Sequence, residues 1–159
     1  MDDAPSNDAL PEFWDEALEI IRAVPIAFLS TVSRDQPAVR PVTPAYVGTT
    51  AYIATDLETL KVRSIGLNPL VELLHWKDFR HVAMRARASM VMDEALKAEM
   101  WDKFGYDLSD FFEPHDPGVK TDGHETRHYG LMRIEPFRIE VTSLQRVAAN
   151  RPPLIWRSR

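Results

Sequence analysis

The chain has 159 residues and a formal net charge of −5, with 45% hydrophobic and 27% charged residues, which is typical of one soluble globular domain. The acidic balance argues against nucleic-acid binding, and the absence of cysteine excludes disulfides, iron–sulfur clusters and cysteine nucleophiles. No apolar run approaches the roughly 20 residues of a membrane span, and the acidic start lacks the features of a signal peptide, so we expect a cytoplasmic protein.

The first predicted element is an amphipathic helix over residues 11–24, which begins at Pro11 and ends before Pro25. Periodicity and turn residues then predict strands at 26–32, 38–47 and 51–55, a helix at 58–67, strands at 70–76 and 81–92, a helix at 93–104, and a last strand at 129–141 after a loop from 106 to about 123.

Two of these strands carry specific expectations. Pro41 and Pro44 fall inside the second strand and cannot donate to a sheet ladder, so this strand should be an edge or should break where a ligand approaches. The strand at 81–92 alternates with a period of two, which predicts an inward face. The residues of that face are Val82, Met84, Ala86, Ala88, Met90 and Met92.

Six strands with helices before and between them predict a small antiparallel barrel of the α+β class, in one domain over residues 1–159 with its core at 11–143. The tail at 145–159 carries four arginines and no acid. It is either a solvated terminus or a segment that docks on a partner subunit or an anionic ligand.

The stretch H-E-T-R-H at 124–128 has the pattern of helix-borne zinc peptidase sites. That chemistry needs a long helix that places both histidines on one face. Gly123 precedes the stretch and Gly130 follows it, which leaves room for barely one turn of helix. The sequence therefore predicts a loop that enters the last strand, no metal site and no zinc peptidase.

An anion site is predicted where the strand ending at Thr55 turns into the helix that opens near Thr59. The N-terminus of a helix offers free N–H groups and a positive dipole end. Lys61 adds a charge, and Arg40 on the preceding strand could bind a phosphate bidentately. The chain has neither G-x-G-x-x-G nor a Walker loop, so a single phosphate fits better than a dinucleotide or a nucleoside triphosphate.

The order of A-F-L-S-T-V, R-P-V, Y-I-A-T-D-L-E-T-L-K, N-P-L-V-E-L-L and R-H-V-A-M-R-A-R-A resembles the FMN-binding split-barrel family of pyridoxamine 5′-phosphate oxidase, and most of all its general-stress subgroup. The resemblance covers roughly residues 11 to 143 and implies a six-stranded antiparallel split β-barrel with Greek-key topology and flanking helices. It also implies a homodimer with FMN in clefts at the subunit interface. The charge and the lack of an apolar span predict no nucleic-acid and no membrane partner.

By position, the resemblance implies that FMN contacts Arg40, Pro41, Val42 and Thr43 on the second strand, and Thr55, Asp56, Thr59 and Lys61 around its phosphate. His81 falls where the oxidases carry a glutamine near the flavin ring, although a surface histidine at the start of a strand is an equal interpretation. Trp76 either flanks the cofactor or, as we favour, fills the end of the barrel.

The chain also departs from the oxidase. Leu60 replaces an arginine, Ala45 replaces a lysine, and the tail lacks the oxidase's substrate-binding residues. The loss of two cations weakens anion binding, and the loss of the substrate-binding residues argues against vitamin B6 oxidation. The implied function is therefore an FMN-dependent oxidoreductase with an unknown substrate. The alternatives are a non-catalytic flavin carrier or stress protein, and a split barrel that binds a deazaflavin or haem.

Overall fold

The computed structural model describes residues 9–112 and 128–158. The helices in these residues are α1 (Trp14–Ala23), α2 (Leu60–Leu67), α3 (Glu94–Trp101) and α4 (Leu144–Ala148), with a 3-10 turn at Leu108–Asp110. The strands are β1 (Ala27–Ser33), β2 (Gln36–Val42), β3 (Ala45–Val47), β4 (Thr50–Asp56), β5 (Leu70–Lys77), β6 (Arg80–Met90), β7 (Tyr129–Ser143) and β8 (Leu154–Arg157).

The strands form one antiparallel sheet in the order β2-β1-β5-β6-β7-β4-β3, and β8 adds to β7. β2 and β3 stand at opposite ends of this order, yet only Thr43 and Pro44 separate them in the chain. Three Cα–Cα steps span at most about 10 Å. The two ends of the sheet must therefore lie close together, which curls the sheet into a barrel. The predicted α+β fold class, an antiparallel split barrel with flanking helices, is confirmed.

The sheet has eight strands where six were predicted. The predicted strand at 38–47 is in fact two strands, because the chain leaves the ladder of β1 at Val42 and joins that of β4 at Ala45. The expectation from the prolines is therefore confirmed, since the strand both lies at an edge and breaks. β8 was not predicted. It has four residues and is held by pairing with β7, a contact that local periodicity does not reveal.

α1 packs its apolar face, Trp14, Ala17, Ile20 and Ile21, against the interior of the barrel. The 11–24 prediction is confirmed within a few residues, because Pro11 lies in a preceding turn where its carbonyl accepts from the N–H of Trp14 at 2.9 Å. α3 begins at Glu94, one residue after the predicted start, and Asp93 caps it, because its carboxylate accepts from the backbone N–H groups of Ala95 and Leu96.

The alternation on β6 is confirmed from Val82 to Ala88, which bury every second side chain while Arg85 and Arg87 stay exposed. Met92 was wrongly placed on the inward face. The strand ends at Met90, and Met92 is 84% exposed. The interpretation of Trp76 as a filler of the barrel end is also wrong. His75 points inward on β5, so the next side chain points outward and is 52% exposed.

No helix in the two described ranges is long and apolar enough to cross a membrane.

Candidate functional site

A cavity of about 940 Å³ opens where the barrel is split. β3 pairs with β4 only as far as Tyr52, so beyond that residue the edge of β4 has no strand beside it within the described chain. Residues 53–56 line the cavity along this edge, and the end of β2 with the turn after it lines the opposite wall. This volume is at the upper end of the roughly 300–1,000 Å³ of small-molecule sites.

One end of the cavity suits an anion. Thr59 is the N-cap of α2, but its side chain does not cap the helix. Its Oγ1 instead donates to the carbonyl of Asp56 at 2.9 Å and lies 3.3 Å from Oγ1 of the buried Thr55. The first N–H groups of α2 therefore receive no side-chain oxygen from the N-cap, and the positive end of the helix dipole is left for another partner.

Two cations lie beside this helix start. The pKa of Lys61 is lowered, first by burial and then by the charge of Arg40, while the carboxylate of Asp56 partly opposes the shift. Lys61 lines the cavity, whereas Arg40 does not. Nη1 of Arg40 donates to Oγ1 of Thr31 at 3.2 Å, which holds the guanidinium on β2. When the charged form of a lysine is destabilised in this way, an anionic ligand stabilises it more than it would stabilise an exposed lysine.

Asp56 also lines the cavity, but its carboxylate is used in the turn. Its Oδ1 accepts from the backbone N–H of Glu58 at 2.7 Å, and its carbonyl accepts from the N–H of Thr59 at 3.2 Å. This side chain shapes the loop that presents α2.

The predicted cofactor segment on β2 also reaches the cavity. Pro41, Val42, Thr43 and Pro44 line its wall. Neither proline has an N–H, so this wall presents few backbone donors toward the gap. Seven of the nine predicted cofactor residues therefore surround one space, namely Pro41, Val42, Thr43, Thr55, Asp56, Thr59 and Lys61. Their role in cofactor binding stays a prediction.

The two exceptions are His81 and Arg40, whose charge lowers the pKa of Lys61 although its side chain does not line the cavity. His81 lies opposite Trp76 on β5 and Thr142 on β7, and its Nε2 is 3.9 Å from Oε1 of Glu140. It does not line the cavity. The contact of His81 with a flavin ring therefore stays a prediction.

Sequence reasoning missed a buried polar pair in the cavity wall. Nε2 of His75 lies 2.7 Å from the hydroxyl of Tyr46, and Nδ1 lies 3.2 Å from the carbonyl of Val24. Burial lowers the pKa of His75 to about 4, although the hydrogen bond to Val24 opposes the shift, and burial raises the pKa of Tyr46. His75 follows Val71 and Leu73 on the inward face of β5, and this alternation was the available signal.

The wall beyond β4 is aromatic. Gly105, Tyr106, Phe111 and Phe112 line it, in a segment predicted only as the start of a loop. The rings of Tyr106 and Phe111 meet edge to face with centroids 5.5 Å apart, and Phe111 is 68% exposed. The cavity therefore has a charged end and an aromatic wall.

Of the H-E-T-R-H stretch, residues 124–127 lie outside the described residues. His128 has a left-handed backbone with φ of 67°, directly before β7. It is therefore not helical, as the loop interpretation expects. Its Nδ1 lies 3.6 Å from Oε1 of Glu58, and its ligand atom falls within 4.8 Å of those of Asp56 and Glu58. An exposed ion pair is sufficient to explain this group.

Comparison with solved structures finds the same fold in several proteins. A Listeria innocua protein provisionally named a pyridoxamine 5′-phosphate oxidase is 25% identical, with a TM-score of 0.65 over 82% of this chain and 98% of its own. General stress protein 26 of Bacillus anthracis is 23% identical, with a TM-score of 0.69 over 91% and 97%. An FMN-binding protein of Nostoc punctiforme is 14% identical, with a TM-score of 0.69 over 95% and 98%. The last two likenesses are of fold alone.

A comparison with curated protein sequences gives no match. The family model described as pyridoxamine 5′-phosphate oxidase matches residues 13–142, which is most of the chain. The matched range includes the cavity-lining residues at the end of β2, on β4 and at the start of α2. This match confirms the family that the motifs indicated: the chain belongs to the pyridoxamine 5′-phosphate oxidase family.

Proposed function

We propose that this protein binds FMN in the split of its barrel and uses it as an oxidoreductase. The observation that carries the proposal is the anion-binding end of the cavity, where the uncapped start of α2 meets Lys61 and the charge of Arg40. FMN carries one phosphate at one end and a flat ring system at the other. The cavity has a matching charged end and apolar wall.

The residues at the charged end fit a phosphate group. The N–H groups at the start of α2 can donate to its oxygens, and Lys61 adds a charge. The hydroxyls of Thr55 and Thr59 lie beside them, and that of Thr59 already donates to the carbonyl of Asp56. Burial destabilises the charged form of Lys61, and an anion bound beside it would stabilise that form again. A second phosphate has no comparable set of donors in the described wall, which favours FMN over a dinucleotide.

The ring system would then lie between the β2 wall and the aromatic wall. Pro41, Val42 and Pro44 present apolar surface, and Tyr106 and Phe111 present ring surface on the other side. Bound FMN supplies hydride and electron transfer at its N5 position. The chain's own part is to orient the ring, to exclude water from it and to set the hydrogen bonds around it.

Two further considerations support the cofactor and limit the substrate. A protein of the same fold from Nostoc punctiforme is named as FMN-binding. The tail lacks the substrate-binding residues that the oxidase resemblance implies, which argues against vitamin B6 phosphates as substrates. We therefore propose flavin-dependent redox chemistry on a small molecule other than a B6 vitamer.

We further propose that the protein acts as a homodimer whose cleft is completed by the second subunit. Ile26 and Phe111 line the cavity and are 49% and 68% exposed, so large apolar surface surrounds its opening. Such exposure is typical of a surface that another chain covers. The molar mass in solution tests this assembly. The cytoplasmic location expected from the sequence stays a prediction.

A non-catalytic flavin carrier is the second candidate. It is favoured by the scarcity of acid–base groups in the described wall, where His75 already has both ring nitrogens hydrogen-bonded. The same bonding disfavours haem, because an axial ligand needs a free ring nitrogen. A deazaflavin would occupy the same space as FMN and differs from it in absorption.

The decisive experiment is the visible absorption spectrum of the purified protein, before and after incubation with FMN and desalting. Retained flavin bands support the cofactor proposal, and a protein that stays colourless contradicts it. Turnover with NADH or NADPH and a panel of acceptors then separates the enzyme from the carrier, since a carrier keeps FMN and turns over none of them.

A further inference from the structure

The hydrogen bonds between Val24, His75 and Tyr46 have a fixed direction. A backbone carbonyl can only accept, so Nδ1 of His75 must carry the proton that bridges the 3.2 Å to Val24. A neutral imidazole has one N–H, so Nε2 is an acceptor. The hydroxyl of Tyr46 therefore donates to Nε2 across 2.7 Å.

This direction decides what Tyr46 can offer the cavity. Its one proton is committed to His75, and the remaining lone pairs of Oη can only accept. The alternative acceptor for that proton, Sδ of Met84, is 3.9 Å away and is a much weaker partner than an imidazole nitrogen. Both Tyr46 and His75 line the cavity. The wall therefore contains a hydrogen-bond acceptor, the hydroxyl oxygen of Tyr46, because His75 accepts the hydroxyl proton.

The hydroxyl of Tyr46 lies far enough from the phosphate end of the cavity to meet the ring of a ligand bound there. Tyr46 pairs with Ala51 on β4, four residues before Thr55. Four strand residues span about 13 Å. A molecule with its phosphate at Thr55 and Lys61 would thus bring its far end, and not its phosphate, toward Tyr46.

We propose that Tyr46, oriented by His75, accepts a hydrogen bond from the ring N–H of the bound flavin, and so selects ligands that carry a donor at that position. Oxidised FMN has one ring N–H, at N3, and this group is the expected donor. The inference rests on the proposed function, since it assigns a contact within the same FMN site. Tyr46 is the binding residue, and His75 is a positioning residue that acts through it.

The test compares the dissociation constants of FMN and 3-methyl-FMN, measured by quenching of flavin fluorescence in the full-length protein. Wild type should prefer FMN, because the methyl group removes the donor. Tyr46→Phe should bind FMN about three- to tenfold more weakly, as expected for one neutral hydrogen bond. It should also lose most of the preference over 3-methyl-FMN.

Two variants separate binding from folding. Tyr52→Phe removes a hydroxyl from the same sheet, on a side chain that does not line the cavity, and should leave both constants unchanged. His75→Gln can still donate to Val24 and accept from Tyr46, and should keep the preference for FMN. His75→Leu cannot, and should lose that preference even where its melting temperature matches that of His75→Gln.

The outcomes are distinct. If wild type does not bind FMN, the proposed function fails and the assignment fails with it. If wild type binds FMN and Tyr46→Phe binds it equally well, the proposed function stands and this inference is overturned. If Tyr46→Phe weakens FMN and 3-methyl-FMN by the same factor, Tyr46 does not contact N3 and the ring assignment is also overturned.

Discussion

Nη1 of Arg40 donates to Oγ1 of Thr31 at 3.2 Å, across the β1–β2 ladder. Thr31 is almost fully buried, so this bond holds the guanidinium of a half-exposed arginine in place. The fixed charge is close enough to lower the pKa of Lys61. Arg40 thus influences the anion end of the cavity although it does not line it.

Lys61→Ala should weaken FMN binding by about ten- to a hundredfold, because it removes a charge-assisted contact to phosphate. Riboflavin, which lacks the phosphate, should bind wild type and variant alike. Lys77→Ala is the matched control, because the side chain of Lys77 does not line the cavity. Titration of each protein with FMN and riboflavin measures the effect. An equal loss for both flavins would mean that the phosphate lies elsewhere.

Arg40→Ala should also weaken FMN binding, and it should raise the pKa of Lys61 because a neighbouring positive charge is removed. In wild type, FMN affinity should therefore fall at alkaline pH as Lys61 loses its proton. In the variant, the fall should move to higher pH. Dissociation constants across the alkaline range check this, and an unshifted fall would show that Arg40 does not act on Lys61.

Leu60→Arg should strengthen FMN binding by about three- to tenfold. Leu60 is the first residue of α2 and is 73% exposed, so a cation there gains an interaction with the phosphate and loses little packing. Leu67→Arg is its control, because Leu67 is 69% exposed at the other end of the same helix. Equal affinities of the two variants would contradict the proposed phosphate position.

The buried His75 should make folding stability depend on pH. A histidine in the unfolded chain has a pKa near 6.5, whereas burial lowers the pKa of His75 in the folded protein to about 4. As the pH falls, the unfolded chain therefore takes up the proton first. The free energy of unfolding should therefore fall as pH drops from about 6.5 toward 4. The titration of His75 should lower the free energy of unfolding by about 2 kcal/mol between about pH 7 and about pH 5.

Urea unfolding of wild type and His75→Gln at both pH values isolates this term, since carboxylate titrations contribute to both proteins. His75→Gln should lose less stability than wild type on acidification. Parallel losses in the two proteins would mean that His75 is not buried as a neutral ring.

His128 occupies a left-handed conformation with φ of 67°. His128→Asn should be tolerated, because asparagine adopts this region readily, whereas His128→Val should lower the free energy of unfolding by about 1–2 kcal/mol. Urea unfolding compares the two. A chelator should leave the melting temperature of wild type unchanged, because His128 is in contact with Glu58 and the carboxylate of Asp56 accepts from the backbone N–H of Glu58. A chelator-sensitive transition would reopen the question of a metal at this group.

The sequence by itself determined the parts of the fold that depend on local pattern. α1 follows from apolar residues at helical spacing, β6 follows from alternation with a period of two, and the break after Val42 follows from two prolines. The ordered motifs from β1 to β6 were sufficient to identify the family. They also indicated Thr55, Thr59 and Lys61, which lie together because one turn connects β4 to α2.

Only the tertiary structure decided the contacts between distant segments. β8 exists because it pairs with β7, and the contact of Arg40 with Thr31 depends on the register of β1 against β2. Tyr46 and His75 meet 29 positions apart across the interior of the barrel. A side chain's local pattern shows whether it points inward, but closure of the sheet determines which inward side chains meet, and so which of them form the cavity wall.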